Sequence, residues 1–175
     1  MTGAPRGEPP TLVRGGAQRP LRIGIDGRAL EPPRTGVGRY VHEICRALDA
    51  MLPLDARFVV YARRPVPLPG PAPRWTMRAE PRPAWRRLPA SAWLLLRAGA
   101  FARRDALSTF WATATLAPLA LGDVPILTTV HDVGHLVTPD ALPPNLRRVH
   151  AWRFGPDLRR AAARIANSHG TAARV

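Results

Sequence analysis

The chain has 175 residues, which is enough for one domain with a buried core and too few for two large domains. Hydrophobic residues make up 46% of it, so a wholly disordered chain is excluded. The net charge of +14 invites a nucleic-acid partner, but all 26 basic residues are scattered arginines without zinc-finger spacing or an RNP-like aromatic run. Nucleic acid is therefore disfavoured, whereas a nucleotide phosphate or a lipid headgroup stays open as an anionic partner.

Targeting and redox signals favour the cytosol. The only cysteine, Cys45, lies on an apolar helical stripe and cannot form an internal disulfide, which is typical of a reducing compartment. No apolar run reaches the roughly 18 residues of a spanning helix, and the N-terminus lacks the apolar stretch of a signal peptide. Residues 1–20 are rich in Gly, Pro and Arg, so we predict a disordered tail there and a folded domain over 21–175.

Strands and helices are predicted in alternation along the folded domain. A strand at 21–26 leads through a loop at 27–34 into a helix whose apolar positions keep helical spacing from Val37 to Met51. Thr35 is the expected N-cap of this helix, and Pro53 ends it. The remaining predicted elements are strands at 57–62 and 74–79, a helix at 90–104, strands at 106–111 and 124–130, a helix at 144–162, a strand at 164–167 and a helix from 168.

This alternation predicts an α/β, Rossmann-like domain with a mostly parallel sheet and helices on both faces. Ligands of such sheets bind beyond the carboxyl ends of the strands. The turns that follow residues 26, 111, 130 and 167 are therefore the places where a site is expected.

The turn before the first helix is one candidate. Gly36, Val37 and Gly38 would present backbone N–H groups at a positive helix end, where a phosphate can bind. The alternative is that the two glycines only make a tight turn, because a short Gly-x-Gly is a weak signal. NAD binding is disfavoured, since a third glycine is missing at the required offset.

The second candidate is His131-Asp132, directly after an apolar strand, where an imidazole can donate or accept a hydrogen bond to a sugar hydroxyl. The alternative is an aspartate cap beside a histidine bonded to backbone. His135 is expected to be a loop residue, and no third ligand with suitable spacing supports a metal site. Asn167 and Ser168 end the last strand; Ser168 is expected to cap a helix, and both are candidates for lining the cleft.

Residues 85–104 mix Trp, Leu and Arg. A basic amphipathic helix of this kind can lie in a membrane interface. The favoured interpretation is a helix that faces the core and keeps its arginines in water.

Three passages, in order, resemble family 4 retaining glycosyltransferases. Residues 22–40, with the string Thr-Gly-Val-Gly-Arg-Tyr, are similar to the family's opening strand and its TGIGRY-like turn. Residues 128–133 are similar to its strand that ends in His-Asp, and residues 161–171 to its AARIIAVSEAT-like passage. The resemblance covers about residues 21–175.

The resemblance implies a GT-B enzyme, in which two Rossmann-like domains enclose the active site. Such enzymes transfer a sugar from a nucleotide-diphosphate donor to a sugar or lipid acceptor, with retention and usually without a metal; no separate cofactor is implied. It implies that the backbone of Gly36–Gly38 lies near the donor diphosphate, where Arg39 could add charge, and that His131 lies near the transferred sugar, as the catalytic candidate.

The chain departs from the family's full pattern. Basic residues that hold the diphosphate and a pair of glutamates belong to the family's second domain, and they do not occur before Val175. We therefore expect an acceptor-side, N-terminal half, truncated or paired with a separate chain, that is inactive alone. The alternatives are a non-catalytic Rossmann-like binding module or partner subunit, and a protein that binds nucleic acid or the inner face of the membrane through its arginine charge.

Overall fold

One parallel sheet organises the molecule. The computed structural model describes residues 19–33, 35–132 and 144–174. Its sheet has the strand order β3-β2-β1-β4-β5-β6, and every neighbouring pair is parallel. The predicted fold class is therefore confirmed. The six strands are β1 (Arg22–Asp26), β2 (Arg57–Ala62), β3 (Trp75–Ala79), β4 (Thr109–Ala112), β5 (Ile126–Val130) and β6 (Ala163–Ala166).

The helices follow the predicted alternation except for a short helix, Pro83–Arg86, that the sequence did not predict. The side chain of Thr35 accepts a hydrogen bond from the N–H of Gly38 and so caps the first helix, as predicted, and that helix ends before Pro53. Residues 90–102 are helical throughout, because a π-helical turn, Leu94–Ala98, joins the α-helical segments Ala90–Trp93 and Gly99–Ala102. The helices are α1 (Gly36–Met51), α2 (Pro83–Arg86), α3 (Ala90–Trp93), α4 (Gly99–Ala102), α5 (Pro144–Arg160) and α6 (His169–Ala172).

Several predicted boundaries were wrong by a few residues. The predicted loop at 27–34 contains a 3-10 helix, Gly27–Leu30, because the buried Asp26 side chain accepts the N–H of Arg28 and tightens the turn. The strand predicted at 106–111 begins only at Thr109, since Ala106 takes a left-handed φ of 47° in the preceding turn.

At the C-terminal end of the chain, the helix predicted at 144–162 ends at Arg160, and the strand predicted at 164–167 runs one residue earlier, over Ala163–Ala166. Residues 1–18 of the predicted tail lie outside the described residues.

Side chains that alternate along β2 separate two cores. Phe58 and Val60 pack in one cluster with Val41 and Cys45 of α1, whereas Tyr61 packs in another cluster with residues of α3 and α4. Because successive side chains of a strand point to opposite faces, α1 and the α3–α4 segment cover opposite faces of the sheet. Helices on both faces, as predicted, follow from this pattern.

Buried carboxylates at the carboxyl ends of β1 and β3 form ion pairs with arginines. The Asp26 carboxylate is buried and pairs with Arg28 at 2.7 Å. Glu80, which follows β3, is also buried; it accepts the indole N–H of Trp93 at 3.0 Å and pairs with Arg97 at 3.2 Å. Burial alone would raise the pKa of Glu80, but these hydrogen bonds lower it below its ordinary value.

The strand order reverses between β1 and β4, and this reversal positions the site. From β1 the chain continues outward to β2 and β3, and it then crosses to β4 on the other side of β1. The connections that leave β1 and β4 therefore diverge and open a crevice at their carboxyl ends, where sheets of this kind bind ligands.

Candidate functional site

A pocket of about 150 Å³ opens at this reversal point. Its walls come from the start of α1, the loop after β4, the end of β5 and the middle of α5. Val37, which lies between the two glycines of the turn, and the His-Asp pair, which are far apart in the sequence, therefore line one crevice. The pocket is lined by Val37, Ala114, Thr115, His131, Asp132 and His150.

The start of α1, which reaches this crevice through Val37, carries backbone N–H groups that the helix itself does not use. The N–H of Gly38 is taken by the Thr35 hydroxyl at 3.3 Å, and that of Arg39 by the Thr35 carbonyl at 3.0 Å. Within the described residues no hydrogen-bond acceptor is bound to the N–H of Gly36 or Val37. An anion at this helix end would therefore meet these two amides rather than the three predicted ones, because the N–H of Gly38 is already bound.

A second, larger hollow of about 490 Å³ lies beside the same helix start. Gly36 and Arg39 line it together with Thr35, His42 and Glu43. A Cβ placed on Gly36 would have no heavy atom within 4 Å, so neither packing nor a left-handed φ requires glycine there. Gly36 consequently leaves its backbone open to approach from this side.

His131 is held by a backbone carbonyl. Its Nε2 lies 2.8 Å from the carbonyl oxygen of Thr113. Because a carbonyl oxygen only accepts, Nε2 carries the proton, and in the neutral ring Nδ1 is left as the acceptor. Thr113 is itself fixed, since its hydroxyl donates to the Asp26 carbonyl at 3.0 Å across the ends of β1 and β4. The ring orientation of His131 is thus set by the strands on the other side of the crevice.

The loop after β4 carries backbone strain. Thr115 has a φ of 62°, which is rare for a β-branched residue. Three hydrogen bonds hold it there: its N–H and hydroxyl donate to the Thr129 carbonyl, and its own carbonyl accepts the Thr128 hydroxyl. Such backbone strain costs about 1–3 kcal/mol and persists only where surrounding interactions hold the residue in place, which is often the case at functional sites.

Sequence reasoning missed three contributors to the crevice. The Tyr40 ring meets the His131 ring edge-on at a centroid distance of 5.1 Å. Tyr40 has the spacing of the apolar stripe of α1, which predicts a core residue, whereas Thr115 follows β4 in a Thr-Ala-Thr string whose polar character was the available signal. His150 comes from α5, 19 positions beyond His131, and nothing in the local sequence links the two.

The other predicted cleft residues separate into two groups. Asp132 is exposed and lines the pocket beside His131. Asn167 and Ser168 follow β6 and are not among the residues that line it. The Ser168 side chain accepts the N–H of Thr171 at 3.1 Å and caps α6, as expected. The Thr171 hydroxyl in turn lies 3.5 Å from the His131 carbonyl oxygen, so this cap supports the strand end that bears His131.

The remaining candidate residues have structural surroundings. Cys45 is buried, and burial raises the pKa of its thiol to about 12, so it remains a neutral packing residue. Most apolar side chains of residues 85–104 face the core, Leu96 being the exposed exception, which agrees with the core-facing interpretation. His135 lies outside the described residues. Over the described ranges, no group of three His, Cys, Asp or Glu residues could hold a metal ion, and no helix is long and apolar enough to cross a bilayer.

Comparison with known proteins gives one match. The sequence model of the family described as Glycosyltransferase Family 4 matches residues 34–175, which is most of the chain. The matched range includes the helix start at Gly36 and the strand end at His131. Searches of the curated proteins and of the solved structures found no match.

Proposed function

The chain belongs to glycosyltransferase family 4, and from this premise we propose that it is the N-terminal, acceptor-side half of a GT-B enzyme. In this proposal the crevice at the end of β1 and β4 takes part in moving a sugar from a nucleotide-diphosphate donor to a sugar or lipid acceptor. The nucleotide sugar is a substrate, and neither a metal nor a separate cofactor is required.

One observation carries the proposal: Val37, at the start of α1, and His131, at the end of β5, line the same pocket. A nucleotide sugar has two chemically different parts, an anionic diphosphate and a polar sugar ring. The helix start offers backbone donors and a positive dipole end for the diphosphate. The imidazole offers an acceptor for a sugar hydroxyl. Two complementary groups in one crevice match the two parts of one donor.

Each residue then has a defined role. The N–H groups of Gly36 and Val37 would bind a phosphate oxygen, and Arg39 would add positive charge from the neighbouring hollow. The Nδ1 atom of His131 would accept a hydroxyl of the transferred sugar, while the Thr113 carbonyl keeps Nε2 protonated. Asp132 would bind a second hydroxyl at the mouth of the pocket.

The volume of the pocket at His131 supports weak transferase activity of this half alone. Sites that enclose drug-sized ligands have volumes of about 300–1,000 Å³, whereas the pocket at His131 has about 150 Å³. This pocket alone could cover a nucleotide sugar only in part, and the diphosphate would extend toward the neighbouring hollow at Arg39. The proposed enzyme therefore needs a second protein body over the crevice, either in the same polypeptide or in a separate chain.

Donor binding and turnover test this proposal separately. Calorimetric titration of the 175-residue chain with a panel of nucleotide-diphosphate sugars should give weak binding, and His131→Ala should weaken it further. Hydrolysis or transfer by the chain alone should be slow or absent. Robust turnover would contradict the need for a second body. Binding that is unaffected by both His131→Ala and Gly36→Ala would instead favour a non-catalytic partner subunit.

A further inference from the structure

Two arginines begin adjacent strands at the amino edge of the sheet, which is the edge opposite the crevice. Arg22 is the first residue of β1, Arg57 is the first residue of β2, and the two are paired in register. Because neighbouring strands lie only about 4.8 Å apart and paired residues start from the same face, their positive charges repel each other. A negative group between the two arginines would offset this repulsion.

The protein itself supplies no such group among the described residues. Arg19, Arg22 and Arg57 form no ion pair within the described ranges. The carboxylate of Asp105 is bound by Arg78 and by the hydroxyl of Tyr61. Five other arginines around the sheet are paired, namely Arg28 with Asp26, Arg63 with Glu31, Arg74 with Asp49, Arg78 with Asp105 and Arg97 with Glu80. The charge at the amino edge is therefore available to a ligand.

A pocket of about 350 Å³ lies between these unpaired arginines, and backbone carbonyls fix two of them. Arg22 Nη1 donates to the Asp105 carbonyl at 2.8 Å, in the turn before β4. Arg57 Nη1 donates to the carbonyls of Leu54 and Ala56, both at 3.1 Å, before β2. Since β1 lies between β2 and β4, the two guanidiniums are held on opposite sides of β1. Each has five N–H donors and keeps some of them for a ligand. The pocket is lined by Arg19, Pro20, Arg22, Asp55, Arg57 and Ala106.

We propose that this arginine pocket, defined by its six lining residues, binds a small water-soluble phosphomonoester that carries hydroxyl groups, such as a sugar phosphate. Three arginines and one aspartate give the pocket three positive charges and one negative charge, a net charge of +2. A phosphomonoester carries about −1.5 to −2 at neutral pH. Guanidinium groups also match phosphate oxygens in geometry, because two N–H donors can bind two oxygens at once.

The other lining residues select the rest of the ligand. The pocket volume of about 350 Å³ lies within the range of about 300–1,000 Å³ that is typical of small-molecule sites, so there is room for more than a phosphate. The exposed carboxylate of Asp55 repels a second phosphate but accepts hydrogen bonds from hydroxyl groups. No aromatic side chain is among the lining residues, so a nucleobase would have nothing to stack on. A phosphorylated sugar therefore fits better than a nucleotide.

The arginine pocket is distinct from the crevice. The five residues of β1 separate the amino edge from the carboxyl edge by about 15 Å, at roughly 3.3 Å a residue. A ligand in the arginine pocket is therefore too far from His131 to react there, and it would act as an effector rather than as a substrate. The inference does not depend on the proposed transferase function.

Calorimetric titration of the 175-residue chain with glucose 6-phosphate, at constant ionic strength, tests the proposal. We expect saturable binding of glucose 6-phosphate, weaker binding of adenosine 5′-monophosphate and no binding of glucose. Arg22→Gln/Arg57→Gln should lower the affinity for glucose 6-phosphate by about tenfold or more for each arginine, because charge-assisted hydrogen bonds are lost. In amide NMR spectra of the unchanged chain, the earliest shifts should occur at Arg22 and Arg57.

Two further variants separate specific binding from general charge and from misfolding. Asp55→Asn should raise the affinity for inorganic phosphate severalfold, because a like charge is removed, and a loss of folding cannot produce a gain. Arg87→Gln/Arg159→Gln removes the same charge from two exposed arginines outside the pocket and should bind glucose 6-phosphate like the unchanged chain. Thermal melts of all variants establish that they are folded.

Any of four results would overturn the proposal. These are equal binding of glucose and glucose 6-phosphate, an equal loss in Arg87→Gln/Arg159→Gln, unchanged affinity of a folded Arg22→Gln/Arg57→Gln, and shifts that begin at Gly36 and His131 instead of the arginine pocket. Binding of phosphatidic acid vesicles through the same arginines, without binding of glucose 6-phosphate, would also overturn it.

Discussion

The two halves of the sheet both place polar residues at or directly after the carboxyl ends of their strands, yet these residues differ in what they bind. In the β1–β3 half, the carboxylates of Asp26 and Glu80 are buried and paired with arginines. In the β4–β6 half, His131 binds a backbone carbonyl through Nε2 and lines a pocket. A polar residue at a strand end thus stabilises the fold or forms a candidate site according to the partner that it binds.

The largest expected effect is on stability, at the paired end of β3. Glu80→Gln removes the charge that neutralises Arg97 and weakens the acceptor of the Trp93 indole. Because breaking a buried pair leaves a charge without compensation, we expect a loss of about 3 kcal/mol in the free energy of unfolding. Urea denaturation measures it.

Glu43→Gln is the matched control for this substitution. Glu43 pairs with Arg46 at 3.6 Å on the exposed side of α1, where ion pairs contribute little, so we expect a change below about 0.5 kcal/mol. Equal effects of the two substitutions would contradict a structural role specific to the β3 end.

The second expected effect is on donor binding, at the end of β5. His131→Ala should lower donor affinity, or the activity of the complete enzyme, by about tenfold to a hundredfold, because a sugar hydroxyl loses its hydrogen-bond partner. The free energy of unfolding should fall by only about 1 kcal/mol for the lost bond to the Thr113 carbonyl. If His131→Ala caused a large loss in the free energy of unfolding and left donor affinity unchanged, the end of β5 would have a structural role like the end of β3. That result would contradict the difference between the two halves of the sheet.

A third effect concerns acid stability in the β1–β3 half. Burial alone would raise the pKa of Asp105, but hydrogen bonds from Arg78 and Tyr61 lower it below its ordinary value. The stabilisation is therefore complete above the ordinary carboxyl pKa and is lost as the pH falls through the lower pKa of the folded state.

Asp105→Asn should accordingly be less stable than the unchanged chain at neutral pH. The difference should shrink as the solution is acidified, and denaturation curves over a pH series measure it. If the difference in the free energy of unfolding between Asp105→Asn and the unchanged chain stayed constant down to the most acidic samples, the carboxylate charge would not be the cause of the stabilisation.

The smallest expected effect distinguishes helix stability from phosphate binding. Gly36→Ala places a methyl group in open space in the first turn of α1, so we expect stability to be unchanged or raised by up to about 1 kcal/mol. Donor affinity should nevertheless fall, because the methyl group hinders approach to the backbone N–H.

Gly170→Ala is the control for this substitution. It adds a methyl group near the start of α6, where the nearest side-chain atom is 3.9 Å away, and it should leave donor affinity unchanged. If Gly36→Ala also bound the donor normally, the amides of the α1 start would not be part of the site.

Local sequence signals were sufficient for most of the fold. Hydrophobic spacing and the Thr35 cap located α1, and the β-branched run at Arg57–Ala62 located β2 within its observed bounds. Boundaries failed where a side chain or an unusual φ decided them. The Asp26 carboxylate created a 3-10 helix, and the left-handed Ala106 delayed β4.

The site was only partly predictable, for a related reason. The rule that ligands bind after parallel strands placed the helix start and His131 at the same edge of the sheet. That rule does not give the strand order, so it could not bring Tyr40 to the His131 ring or His150 into the pocket. It also could not show that the Thr35 cap occupies the Gly38 N–H, which depends on side-chain geometry.

Amide and imidazole NMR signals of the full chain, followed during titration with a nucleotide-diphosphate sugar, test the shared crevice most directly. We expect the earliest shifts at the N–H groups of Gly36 and Val37 and at the His131 ring, with one common affinity for all three. Shifts confined to Arg19, Arg22 and Arg57 at the amino edge, with the helix start and His131 unmoved at saturation, would contradict the account.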